Sequence, residues 1–134
     1  MDLTKFTERA RGFVQNAQSI AVREDHQRLE PLHLLKALLD DEDGFAATLV
    51  TRAGGNSAQV REQLAQEFSK LPKVSGGAGQ MILDTSTAKV LAEAEKLAEK
   101  AKDKFVTVER ILTALAMERS SAKTLLSAAG LTAQ

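Results

Sequence analysis

The chain repeats itself. Leu34-Leu35-Lys36-Ala37-Leu38 returns as Ile111-Leu112-Thr113-Ala114-Leu115, and each copy runs on into a Leu-containing segment that stops at glycine. Leu35 and Leu112 lie 77 positions apart, as do Phe13 and Val90; after a one-residue deletion, Leu49 to Leu125 and Gly54 to Gly130 are both 76. A repeat this long is one supersecondary unit that cannot cover its own apolar face, so the two copies must pack on each other. Their seam is then a natural place for a binding groove.

Spacing within each copy is helical. Phe6, Ala10, Phe13, Ala17 and Ile20 fall on one stripe of a first helix running to about Glu24. The stretch 25–30 has no period, and Pro31 then opens a short apolar helix with Leu32, Leu35, Leu38 and Leu39. Beyond the acidic turn 40–44, a third helix carries Phe45, Leu49 and Val50 to a left-handed stop at Gly54. Asn56 reads as the cap of a fourth, with Gln59 its capping-box partner and Val60, Leu64, Phe68 and Leu71 inward. The segment 72–80 is rich in glycine and reads as a linker between repeats. It lacks the Lys and the strand-to-helix setting of a phosphate loop.

In the second copy, Asp84 or Thr85 caps a long helix with Val90, Leu91, Ala94, Leu97 and Ala98. Residues 102–106 break it, Thr107 caps a sixth helix, and Ser121 a seventh that ends at Gly130. The expected architecture is therefore all-α: a pseudo-twofold bundle of two four-helix repeats, about 3–71 and 81–134, forming a single domain over 1–134. Its eighth helix is truncated or missing, as though a larger protein continued past Gln134.

Composition narrows the chemistry. Eighteen basic residues balance eighteen acidic ones and are interleaved along helices, which argues against nucleic acid as a partner. No apolar run approaches the roughly 20 residues of a membrane span, and the N-terminus lacks a signal-peptide core, so the expectation is a soluble, cytoplasmic protein with no membrane partner. There is no cysteine, hence no thiolate metal site. His26, in a loop among charges, and His33, on the Leu-rich second helix, have no metal-ligand spacing, and His33 reads as a packed imidazole. The acidic run 40–43 lacks the ligand alternation of a calcium loop. The serines sit where caps and turns need them, and no catalytic constellation emerges.

Several stretches resemble the Clp N-terminal repeat domain of the Hsp100 chaperones in its ClpB-type branch. They are Ala17-Gln18-Ser19-Ile20-Ala21, Glu30-Pro31-Leu32-His33-Leu34-Leu35-Lys36-Ala37-Leu38-Leu39, the Ala53-Gly54 stop and Leu71-Pro72-Lys73-Val74. The likeness covers essentially the whole chain. It implies a non-catalytic domain tethered to a hexameric AAA+ ATPase ring that disaggregates and unfolds proteins in the heat-shock stress response. ATP and magnesium would belong to the ring, leaving this chain no cofactor of its own. Implied partners are unfolded or aggregated polypeptides, the parent ring and, through other domains, the Hsp70 system. The family's functional polar positions match as Thr7 on the first helix, Asp103 in the second repeat's break and Glu109 in the first turn of helix six. Its substrate-contacting apolar patch falls on Leu91, Glu93 and Arg110, where two charges replace apolar side chains and weaken hydrophobic capture. Two rival readings are an adaptor-docking module of the ClpA/ClpC type and a small helical enzyme.

Overall fold

The repeat survives as geometry, element by element. In the computed structural model, which describes residues 3–41, 44–71 and 82–130, α1 (Glu8–Arg23) and α5 (Thr85–Lys100) are both 16 residues long. The two helices of 8 residues, α3 (Phe45–Arg52) and α7 (Ser121–Ala128), form the second matched pair. Between them α2 (Pro31–Leu39) corresponds to α6 (Val108–Met117), and α4 (Ser57–Lys70) completes the first repeat. The linker expected at 72–80 and the residues after Gly130, where the eighth helix is expected to be truncated or missing, lie outside the described residues, and seven helices are described.

The turns correspond as closely as the helices. After α1 the chain reverses at Asp25 with φ 59°, and after α5 at Lys102 with φ 60°, two non-glycine residues in the same left-handed state at equivalent positions. Both α3 and α7 end on a glycine of positive φ, 92° at Gly54 and 96° at Gly130, as the sequence predicts. These two stops meet where the repeats face each other: a Cβ on Gly130 would lie 3.2 Å from the Gly54 carbonyl oxygen. There the Asn56 N–H donates to the Ala129 carbonyl at 2.9 Å. Asn56 caps α4 through Gln59 N–H, but the Gln59 side chain does not return to close a capping box; its amide donates to the Ala128 carbonyl and ties α4 to the other repeat.

One feature has no helical counterpart in the sequence pattern. Arg28–Leu29 (β1) and Ile82–Leu83 (β2) form a two-stranded parallel ladder, and Phe6 makes an isolated parallel bridge to Val106. Residue for residue, the bridge is the ladder's image under the repeat. Each copy's leading segment pairs with the loop of the other, through Thr7 N–H to Val106 O at 2.9 Å in one direction and Asp84 N–H to Leu29 O at 3.2 Å in the other. A two-residue strand has too few side chains to alternate, so periodicity could not reveal it.

Phe6 is thereby moved off the first helix, where the sequence stripe put it. The helix begins at Glu8 and buries Ala10, Val14, Ala17, Ile20 and Ala21, while Phe13 sits at the edge of the core. Helix seven is capped by Ser120 rather than Ser121: its hydroxyl accepts from Lys123 N–H at 3.3 Å. Thr107 holds the cap position of α6 without a side-chain bond, and Asp84, the first of the two expected candidates, caps α5 through Ser86 N–H. The core joins both copies, with Leu34, Leu35, Leu38 and Leu39 of α2 buried alongside Ile111 and Leu115 of α6 and Leu126 of α7. Burial of each such side chain contributes roughly 1.5–3 kcal/mol, which accounts for the bundle without a ligand.

Candidate functional surface

Thr7 precedes the first helix instead of riding on it. It is the N-cap of α1, half-buried, its hydroxyl accepting from Ala10 N–H at 3.1 Å. A cap contributes about 1 kcal/mol to helix stability, so this side chain has a structural task whatever else it touches. The Phe6–Val106 bridge sets Thr7 directly beside the α5–α6 loop, since Thr7 N–H bonds Val106 O and Val106 N–H bonds Lys5 O. That loop carries Asp103 and leads within a turn to Glu109 and Arg110. Four of the six sequence-predicted positions therefore share one end of the molecule.

Asp103 and Arg110 form a pair, Nε to Oδ2 at 3.0 Å, with both side chains about one-third exposed. Arg110 thus does more than interrupt an apolar patch: it folds back on the loop and occupies the Asp103 carboxylate. Glu109 is exposed in the first turn of α6, where a carboxylate complements the helix dipole. Glu93 is half-buried on α5, and Leu91 is 94% removed from solvent at 6% exposure, a core residue offering little surface. Nothing brings Leu91 out to join an apolar groove.

Phe105 is a further side chain at this end with no periodic signal in the sequence. It is 48% exposed in the same loop, one residue before the bridge, and is the large apolar side chain closest along the chain to the predicted polar positions. Its only sequence signal is its place in a break between helices, where an aromatic has no stripe to join.

The histidines depart from expectation in a different way. His33 is packed as foreseen, at 0% exposure, but His26 is not a solvated loop residue: it is 4% exposed, with Nδ1 2.9 Å from His33 Nε2. Glu30 N–H donates to His33 Nδ1 at 2.9 Å. That donor fixes the tautomers, because His33 Nδ1 must accept, Nε2 must carry the proton, and His26 Nδ1 must receive it. Phe68 of α4 closes a triangle, its ring 5.2 Å from each imidazole. Burial first and the neighbouring His26 second push the His33 pKa down to about 4. A concavity of about 370 Å³ lies alongside, lined by Lys36, Leu39, Arg61, Leu64 and Phe68, remote in sequence from the Thr7–Arg110 end. Among the described residues no group of three or more side chains is placed to hold a metal ion, and no helix is long and apolar enough to cross a membrane.

A duplicated helical unit whose halves are locked by paired strand segments defines the class of protein as an all-α repeat domain. Residues 5–129 match the Clp repeat N-terminal domain, and the chain belongs to that family. It is 53% identical over its whole length to the chaperone protein ClpB of Rhodopseudomonas palustris and 56% identical, over 98% of its length, to that of Brucella suis. It spans only about 15–16% of the length of these relatives. Among solved structures, the Hsp104 N-terminal domain of Candida albicans superposes with a TM-score of 0.84 at 26% identity, covering 96% of this chain and 84% of that one. The N-terminal domain of ClpV1 from Escherichia coli shares the fold at a TM-score of 0.77 and 20% identity, over 97% of this chain and 80% of the other. The chain is thus the non-catalytic N-terminal domain type found in ClpB and Hsp104 chaperones.

Proposed function

We propose that this domain engages exposed or aggregated polypeptide and delivers it to the AAA+ ring of a ClpB-type disaggregase acting in the cytoplasmic stress response. The observation that carries this reading is the convergence of Thr7, Asp103, Glu109 and Arg110 on one end of the bundle by the Phe6–Val106 bridge, with the exposed Phe105 among them. Such a surface offers one apolar contact and several polar ones. It suits transient capture of many unrelated segments better than tight binding of one. ATP turnover belongs to ring domains beyond this chain, and the domain's part is to raise the local concentration of client near the pore.

The test is a titration of the 134-residue domain, followed by backbone amide NMR shifts, against a permanently unfolded protein and against a folded adaptor. Shifts at Thr7 and through 103–110 with the unfolded protein support the proposal. Saturable binding of the folded adaptor alone would replace it with the adaptor-docking reading.

A further inference from the structure

The two α-helix-to-loop turns have the same backbone and different charge. In the first repeat, Arg23, Asp25, Gln27 and Arg28 occupy the turn, and Arg28 is bound to Asp84 at 3.2 Å. The equivalent positions of the second repeat hold Lys100, Lys102, Lys104 and Phe105. Lys5 joins them across the strand bridge, because its carbonyl accepts from Val106 N–H at 2.8 Å. All four lysines and Phe105 are exposed, and among the described residues none of these lysines forms an ion pair. The one carboxylate inside the loop, Asp103, is occupied by Arg110. A chain with no net charge therefore places four exposed lysines, none of them in an ion pair among the described residues, on the segments that carry or border the exposed Phe105, with the exposed carboxylates Glu99 and Glu109 nearby along the chain.

We infer that Lys5, Lys100, Lys102, Lys104 and Phe105 form a docking surface for extended polypeptide segments in which acidic residues flank an aromatic or aliphatic side chain. This rests on the client-binding reading above and names the class of client it favours. The occupant follows from complementarity: Phe105 gives an apolar contact, and four lysine ammonium groups outside any described ion pair steer carboxylates toward it while disfavouring basic segments. The charged groups are exposed, so the preference is salt-sensitive and modest per residue. A membrane or nucleic-acid phosphate would also meet lysines, but it would leave the exposed aromatic without a purpose in the contact.

The experiment compares two short unstructured peptides with one shared apolar centre, flanked by Glu in one and by Lys in the other. Binding to the 134-residue domain is read by fluorescence anisotropy at low and high salt, with amide shifts to locate it. The Glu-flanked peptide is expected to bind about tenfold tighter at low salt. That advantage should collapse at high salt and in the Lys5→Gln, Lys100→Gln, Lys104→Gln variant. In Phe105→Ala, both peptides should weaken together. All four substitutions are at exposed positions, and circular dichroism verifies that the variants fold. Equal binding of the two peptides, or shifts confined to the other end of the bundle, overturns the inference while leaving client binding intact. If neither peptide nor an unfolded protein binds, the function proposed above fails with it.

Discussion

Replacing each of the two helix-stop glycines by alanine separates backbone strain from the packing of the repeats. Gly54 and Gly130 have nearly the same φ, 92° and 96°, so a Cβ meets the same left-handed penalty at both, roughly 1–2 kcal/mol. Stiffening the unfolded chain returns about 0.4–1 kcal/mol in each case. The surroundings differ. At Gly54 nothing lies within 4 Å of the new Cβ, whereas at Gly130 it would sit 3.2 Å from the Gly54 carbonyl oxygen and 3.8 Å from Gly55 Cα. Both neighbours are backbone and cannot rotate aside, so Gly130→Ala carries an added overpacking cost of about 1 kcal/mol or more. The expected totals are about 0.5–1.5 kcal/mol for Gly54→Ala and about 1.5–2.5 kcal/mol or more for Gly130→Ala. Urea unfolding of the three proteins, fitted with a common m-value, measures both. Equal losses at the two glycines, or a greater loss at Gly54, would refute the close approach of the two stops.

Three further outcomes are expected. Stability should fall on acidification between about pH 6.5 and 4: the unfolded chain takes up a proton at His33 in that window, whereas the folded state, with its pKa near 4, does not. The loss amounts to about 3 kcal/mol, and His33→Gln should flatten the profile in a pH series of urea melts. The Glu30 carboxyl, raised above its usual range by burial and then by Asp84, works in the opposite sense, because the folded state holds that proton more tightly. Thr87→Val removes the buried hydroxyl that donates to the Leu29 carbonyl at 2.6 Å; since that carbonyl also accepts from Asp84 N–H, the cost should be only about 1 kcal/mol by thermal or urea melts. Arg110→Leu breaks a part-exposed ion pair and should change stability by less than about 1 kcal/mol, while raising affinity for a purely apolar peptide severalfold by isothermal titration.

The helices were legible because the apolar spacing and the stops were strong: Pro31 at the start of α2, glycines after α3 and α7, and a 77-residue lag that α1 and α5 reproduce. What escaped was fixed by contacts between the copies. Phe6 fits a helical stripe, yet the bridge to Val106 holds it extended. Gln59 had the right spacing to complete a capping box, but a carbonyl of the other repeat offered a better partner. His26 carries no burial signal in the sequence, lying in a loop among charges; it packs against His33, seven residues on, and Phe68 on α4. On the candidate surface, Thr7 and residues 103–110 are nearly a hundred positions apart, and only the exchanged strand makes them adjacent.

That exchange makes each half the other's template. Residues leading into α1 are pinned by the second half, and those leading into α5 by the first. Severing the peptide backbone anywhere between Lys70 and Ile82 would leave two fragments whose hydrogen bonds and shared hydrophobic interior still demand each other. Expressed as separate polypeptides they should reconstitute one another, and a split reporter fused to their ends would read that reunion out in living cells.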